Sequence, residues 1–365
     1  MHNVRLLNRV WMLVVCCLFT GALVSVPVHA QSIGGNGFNL TTSPVYVTLT
    51  TKPGATISTP IKVQNNAAKA VTLHVKIMKF QAHGTDGGAQ LLTPAANDLS
   101  AKWVSFSTDT IVAQPGAWNT VAMTIHPDHT AAFGYYYAVV FTNAEGQAAQ
   151  HVNTVTGSSA VLVLLDVQVP GEKRQLSVSH FRPQQSISQF LPVTFNVSVK
   201  NSGDIYGAPT GDIYISRSST SKDTLAVIPV NEAQGNVLPG STRTMNVAWD
   251  DGFPAHVVQR INGQIVTGPN GQPATQLSWD ASKLGKFRFG HYYAHLLLVY
   301  NNGTQDVPIE AETSFWVIPW WPIIISLVII SLIIFGLVSL LRRTVHVGRR
   351  LAKHAKKHEK PKPEA

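Results

Sequence analysis

Between two long apolar stretches, one at each end of the chain, apolar and polar residues alternate with a period of two rather than 3.6. That period is the mark of half-buried strands, because successive side chains on a strand point to opposite faces. It predicts strands over 46–49, 59–63, 71–78, 121–125, 135–142 and 159–169. A second set is predicted over 175–181, 192–200, 212–216, 224–230, 244–249, 292–300 and 312–317. Turn clusters separate them at 143–146, Asn201–Gly203, Asn262-Gly263, Asn270-Gly271 and Asn302-Gly303. Many short strands with no long amphipathic helix between them predict an all-β fold of sandwiches.

An internal repeat divides these strands. Ile61-Lys62-Val63-Gln64-Asn65, Pro115-Gly116 and Gly134-Tyr135-Tyr136-Tyr137-Ala138 occur in that order in the first half. Val197-Ser198-Val199-Lys200-Asn201, Pro239-Gly240 and Gly290-His291-Tyr292-Tyr293-Ala294 repeat the order in the second. Each Pro-Gly precedes an alternating strand: Val121, Met123 and Ile125 in one half, Met245, Val247 and Trp249 in the other. The expectation is two tandem Ig-like β-sandwich domains, 31–170 and 171–316, meeting near Pro170-Gly171. Pro115 lies 19 positions before Gly134, whereas Pro239 lies 51 before Gly290. The second copy therefore carries an insertion over 250–285, with a hairpin predicted around Asn262-Gly263. Such a segment reads as a binding loop or as inert surface decoration.

The apolar ends are of a different kind. Ile323–Leu341 is 19 residues without a charge, preceded by Trp316, Trp320 and Trp321 and followed by Arg342 and Arg343. A helix of that length crosses roughly the 30 Å hydrocarbon core of a bilayer, with tryptophans at one interface and cations on the cytoplasmic side. These five residues are the expected membrane-interface anchors of a C-terminal transmembrane helix, 317–341, followed by a basic tail, 342–365. At the other end, Arg5 and Arg9 precede the apolar run Val10–Val28, and Val28-His29-Ala30 fits a cleavage site before Gln31. Lipid attachment at a cysteine and an uncleaved anchor are the alternatives to a cleaved signal peptide, 1–30. The expected product is a single-pass type I plasma membrane protein, its ectodomain extracellular and its C-terminus cytoplasmic.

Charge then changes the list of partners. The net charge of +9 belongs to the two ends: residues 31–341 hold 17 basic and 17 acidic side chains. A balanced ectodomain with no basic patch has no electrostatic source for nucleic-acid binding. The tail has nine Lys/Arg against Glu359 and Glu364 and suits anionic lipid, or is a topology signal with no further partner. Cys16 and Cys17, the two cysteines, fall in the expected signal peptide, so the exported part folds without disulfides.

Candidate chemistry is sparse. Gly34-Gly35-Asn36-Gly37 follows no strand and opens no helix, unlike a phosphate cradle. His126-Pro127-Asp128-His129 brings two imidazoles and a carboxylate together in sequence, but no further ligand stands at a metal-site spacing. Asp250-Asp251, read as strand neighbours, would point to opposite faces, poor geometry for shared acid–base work. No Gly-x-Ser-x-Gly elbow occurs. No catalytic, cofactor or metal site is predicted, and the chain is expected not to be an enzyme. Trp103, Phe106, Trp118 and Tyr135–Tyr137 could stack on sugar rings, although alternation puts Tyr135 and Tyr137 on one face and Tyr136 on the other, with core packing the expectation for most of them.

Ser43-Pro44, Lys52-Pro53-Gly54, Val63-Gln64-Asn65, Trp103-Val104-Ser105-Phe106, Gln114-Pro115-Gly116 and Gly134–Phe141 together resemble the WxL-interacting proteins of Gram-positive-type cell surfaces. Val199–Gly203 and Gly235–Pro239 resemble their second Ig-like domain, and the order of signal peptide, two domains, span and basic tail also matches. The resemblance implies a first domain that binds peptidoglycan or another wall polymer and a second that faces a surface protein partner. The 250–285 insertion departs from the pattern, and no ligand residues carry over. The expected function is tethering to the wall from the membrane. A membrane-anchored Ig-like chaperone or assembly factor for exported surface proteins, adding a strand edge to its client, is the alternative, and a plain stalk a third.

Overall fold

The computed structural model describes residues 39–143, 158–219 and 223–358. The expected signal peptide, the Gly34–Gly37 leader and the last tail residues, 359–365, lie outside the described residues. The first half contributes β1 (Leu40–Ser43), β2 (Tyr46–Thr51), β3 (Ile57–Asn65), β4 (Val71–His83) and β5 (Gly88–Leu92). It continues with β6 (Val104–Phe106), β7 (Thr110–Ala113), β8 (Trp118–Ile125), β9 (Phe133–Asn143) and β10 (Ser158–Val167). They form two sheets, β1-β3-β8-β6 and β2-β10-β9-β4-β5, with β7 also on β4.

The second half contributes β11 (Leu176–Pro183), β12 (Ile187–Ser188), β13 (Val193–Asn201), β14 (Thr210–Ser216), β15 (Thr224–Val230) and β16 (Thr242–Trp249). After the insertion strands β17 (Ala255–Val258), β18 (Arg260–Ile261), β19 (Gln264–Ile265) and β20 (Thr275–Ser278) come β21 (Gly290–Asn301) and β22 (Asp306–Val317). The sheets are β11-β13-β16 and β12-β22-β21-β14-β15. Each half therefore follows one plan. The opening strand pairs antiparallel in one sheet (β1 on β3, β11 on β13), then the chain switches sheets and runs parallel to the last strand (β2 on β10, β12 on β22). This shared topology makes the chain two tandem Ig-like sandwiches, followed by one helix, α1 (Trp320–His358).

Every strand predicted from alternation is present. The three repeat landmarks occupy equivalent places, in β3 and β13, before β8 and β16, and at the start of β9 and β21. The Asn that ends β3 and the Asn that ends β13 are both fully buried. Asn65 Nδ2 donates to Lys69 O (2.7 Å) and Ala113 O (3.0 Å), and Asn201 Nδ2 donates to Ile205 O and Val237 O, both at 2.8 Å. Their backbone carbonyls accept from Gly116 N and Gly240 N, glycines with φ of 70° and 69°. The Pro-Gly pair is thus half of a clamp that the buried Asn completes, and the left-handed backbone there is why glycine follows proline.

Inside the first sandwich, Tyr137, Val139 and Phe141 of β9 and Val161, Val163 and Leu165 of β10 face Ile61, Val121 and Met123 across the core. The second core is aromatic: Trp249 meets Tyr292 and Phe315 edge-on at 5.3 and 5.9 Å. Below the first core, Asp98 accepts from Ser100 Oγ (2.6 Å), Ser100 N (3.0 Å) and Lys79 Nζ (2.9 Å). The Ser100 hydrogen bonds, then Lys79, hold its carboxyl at about 2, below the ordinary 3.8. A depressed carboxyl stabilises the fold above its unfolded pKa and loses that contribution as pH falls toward the folded one. Lys79 is a third exposed, which screens the pair. Asp98→Asn is therefore expected to cost about 1 kcal/mol at pH 7 and only a fraction of that at pH 2, where the folded carboxyl is half protonated, read by denaturant unfolding at both pH values. A gap of unchanged size at pH 2 removes ionisation as its cause.

Three sequence boundaries are corrected. β22 continues through Val317, so the helix expected from 317 starts at Trp320, and it runs past 341 to His358 because the basic tail also favours helix. The hairpin predicted over 257–266 spans only 259–266: β18 pairs with β19 and Val266 N donates to Gln259 O at 3.0 Å, around Asn262 and Gly263, both at positive φ. Its outer residues Val257 and Val258 pair with Gln276 and Thr275 instead. Asp250 and Asp251 follow the last residue of β16, so strand alternation does not govern them, and Asp251 ion-pairs with Lys286 and Arg288.

Candidate functional site: an apolar groove on a sheet face

A sandwich sheet ordinarily buries one face and wets the other. The sheet β2-β10-β9-β4-β5 is apolar on both. Its outward set is Phe80 on β4, Ala138 and Val140 on β9 and Leu164 on β10, all buried, with Met78, Leu91, Tyr136 and Leu162 around them. The reason is the second sandwich, which lays Tyr206 and Leu238 against this face. Tyr136 stands edge-on to Phe80 (5.8 Å) and to Tyr206 (6.5 Å), and burial pushes both phenols above their ordinary range.

Polar contacts fix the contact at its two sides. Thr244 N donates to Thr85 O at 2.5 Å, tying β16 to the β4–β5 hairpin. The Arg243 guanidinium lies against Gly87 of that hairpin and against Gly235, where any Cβ would come within 2.6 Å of it. Its Nη1 donates to Asn236 O at 3.1 Å, and among the described residues it forms no ion pair. At the linker, Arg174 Nη2 reaches Asp166 Oδ2 at 2.5 Å and Glu172 Oε1 at 3.0 Å. Burial raises the Asp166 carboxyl, with Arg174 opposing.

The second sandwich does not cover the whole face. A groove of about 580 Å³ remains, lined by Tyr46 at the edge strand β2, by Phe80 and Leu91, by Leu162 and Leu164, and by Leu238 and Arg243 opposite. Chemically it offers apolar side-chain pockets, an edge strand along one side and one guanidinium at the rim. Sequence alternation exposed the runs 137–141 and 161–165 as apolar on both faces, which is the signal that could have found it. What covers the second face is a matter of tertiary packing, which that signal does not carry.

Of the residues singled out in the sequence for chemistry, Trp103 and Tyr135 are brought together, and the others go to separate places. Tyr137 is core and donates to Ser100 O at 3.0 Å, Tyr136 is under the second sandwich, and Tyr135 stands edge-on to Trp103 at 4.8 Å. Trp118 is exposed on β8. In the 126–129 turn, His126 Nδ1 pairs with Thr56 Oγ1 (2.8 Å), Asp128 accepts from Thr130, and the His129 ring packs on Gly54. Trp316 lies in β22, its ring stacked on His291 at 4.6 Å, while Trp320 and Trp321 stack on each other at the start of α1. Arg342 and Arg343 continue that helix, Arg342 exposed, and 320–342 is long and apolar enough to cross a membrane.

The sequence matches no family model and no curated protein. Among solved structures it is similar to a class 5 fimbriae chaperone, CfaA, at 13% identity over 74% of this chain and 97% of that one, TM-score 0.36. It is also similar to a chain of a chaperone–tip adhesin complex of CFA/I fimbriae biogenesis, at 12% identity over 76% and 98%, TM-score 0.35. A third is the CsuC–CsuE chaperone–tip adhesion subunit complex of Acinetobacter baumannii, at 13% over 74% and 97%, TM-score 0.32. It is the chain's own strand order, and not these low scores, that assigns the Ig-like fold.

Proposed function

We propose that the chain is a non-enzymatic, membrane-anchored binding protein whose groove receives an extended apolar segment of another exported protein. The observation that carries this reading is the uncovered part of an apolar sheet face beside the edge strand β2. An added strand can pair with such an edge while alternate side chains fill pockets, the mode by which sheets bind peptides. Arg243 at the rim suits a carboxylate on the ligand. The helix Trp320–His358 supplies the anchor, with the sandwiches outside and the cationic end inside. The reading places the chain with assembly factors for surface proteins. For a wall-polymer contact in the first sandwich, which the resemblance implies, the singled-out aromatics offer, among the described residues, the half-buried Trp103–Tyr135 pair, while Tyr136 and Tyr137 are taken up in packing.

The test is a photo-crosslinker at Tyr46 in cells, with purified cell wall sedimented in parallel. An adduct that maps to one extended apolar segment of an exported protein, absent with a crosslinker at exposed Val227, is the expected result. Leu162→Asp should reduce that adduct at least tenfold, because a carboxylate in an apolar groove is costly to desolvate. Retention on the wall with no protein adduct at Tyr46 reverses the assignment in favour of the tether.

A further inference from the structure

The insertion of the second sandwich is where exposed apolar side chains concentrate. Among the described residues that precede α1, eight of the 18 exposed large hydrophobic residues fall between Val257 and Phe289. They include Trp279, 63% exposed, Leu284, 60%, Phe287, 51%, and Phe289, 49%. They are held rather than loose. Trp279 stands edge-on to Phe253 at 5.9 Å, Phe253 N donates to Lys286 O at 3.0 Å, and Asp280 caps the short turn 281–286 by accepting from Ser282 N at 3.1 Å. Lys286 and Arg288 converge on Asp251, and Arg217 Nη1 donates to Phe289 O at 3.1 Å. A soluble loop fixed in this way, with its aromatic side chains turned outward, needs a partner.

The strand register says where this patch lies. The insertion joins the end of β16 to the start of β21, and Gly290, the first residue of β21, pairs with Val317, the last of β22. Trp320, the first residue of α1, follows three positions later. At about 3.3 Å per residue, Phe287 and Phe289 reach the sheet within roughly 10 Å of the point where the chain leaves for the helix. Exposed Trp316, and Ile187 paired with it across β12, lie at the same end.

We propose that the insertion is a membrane-docking apron: Trp279, Leu284, Phe287 and Phe289 seat in the headgroup boundary of the leaflet that α1 enters, with Lys283 toward anionic headgroups. This rests on the anchoring reading above. Aromatic and aliphatic side chains with flanking lysines are the composition of interfacial segments, and covalent continuity with the helix holds the patch at the bilayer without any affinity of its own. The apron would fix the tilt of the second sandwich on the membrane and the height of the groove above it. It explains why the second copy alone carries the insertion, being the copy next to the helix.

The experiment uses the full chain, with Cys16→Ala and Cys17→Ala so that one introduced thiol is unique, reconstituted in phosphatidylcholine–phosphatidylglycerol nanodiscs. An environment-sensitive fluorophore is placed in turn at Leu284→Cys, at Leu332→Cys in the helix and at Val112→Cys on the first sandwich. Expected are strong quenching of the Leu332 label by deep spin-labelled lipid, several-fold stronger quenching of the Leu284 label than the Val112 label by headgroup-level spin label, and the reverse order with aqueous iodide. A Leu284 label that behaves like Val112 while Leu332 is lipid-quenched overturns the apron and leaves the anchor standing. A Leu284 label shielded from both quenchers also overturns it, since protein then covers the patch. A Leu332 label open to iodide defeats the anchor itself, and the apron with it.

Discussion

Asn201→Ala is expected to destabilise the second sandwich by about 3–5 kcal/mol, and Asn65→Ala to do the same in the first. Asn201 is fully buried, its Nδ2 serves two carbonyls and its Oδ1 accepts from Gly203 N at 2.8 Å. Alanine takes the side-chain partner from Ile205 O and Gly203 N, at about 1–3 kcal/mol each, while Val237 O keeps Gly207 N as a donor at 3.1 Å. Asn65 has the same three contacts, the last from Ala67 N at 2.9 Å. The comparison is Asn246→Ala on the exposed face of β16, expected within about 0.5 kcal/mol of the parent. Denaturant unfolding of the full chain reads all three. If Asn201→Ala shifts the midpoint no more than Asn246→Ala does, the clamp is ornamental and the repeat reflects turn chemistry alone.

That clamp shows how much of the fold was legible. Alternation placed every main strand, since each carries its own period-two signal, and the order Asn, Pro-Gly, Gly-x-Tyr-Tyr-Ala exposed the duplication. The Pro-Gly pairs read as plain turns because the partner that explains them, an Asn some 40–50 positions earlier, is fixed only by folding. Leu40–Ser43 and Ile187–Ser188 went unread for a related reason: two to four residues hold too little pattern, and their pairing with β3 and with β22 is long-range.

The candidate site was less legible, and for a physical reason. Sequence pattern separates apolar from polar faces but does not say what covers a face. Leu162 and Leu164 lie in 161–165, a run apolar at every position, yet only the packing of Tyr206 and Leu238 shows that part of this face is left open. The search for chemistry instead favoured clusters near in sequence, such as 126–129 and Tyr135–Tyr137. Folding sends their side chains to different neighbours, because adjacent strand residues diverge. The insertion was noticed as extra length, while its apolar side chains gained meaning from one register pair, Gly290 with Val317. Groove and apron then sit on one architecture: the first sandwich holds the opening, and the second lies between it and the helix.

The anchor itself yields the other large effect. The span Trp320–Arg342 contains an 18-residue window with a mean hydropathy of 3.1, and at 1.5 Å per residue its 23 residues cover about 34 Å, enough for a bilayer core. The remaining turns of α1, from Arg343 to His358, carry the cations that place this end in the cytoplasm on the proposed topology. Fifteen Leu, Ile, Val and Phe between Ile323 and Leu341 contribute about 4–9 kcal/mol to insertion, while one arginine near the centre costs about 3. Ile330→Arg alone should therefore leave the protein in the membrane fraction. Ile330→Arg with Phe335→Arg should bring insertion close to balance and release most of it, as should a stop before Trp320. Protease added to intact cells carrying the unaltered chain should digest the β region and spare a tag placed after Ala365. A tag cut in intact cells would invert the topology and turn the groove toward the cytoplasm. Release by the single arginine would mean that the helix is held by the sandwiches or a partner and not by lipid.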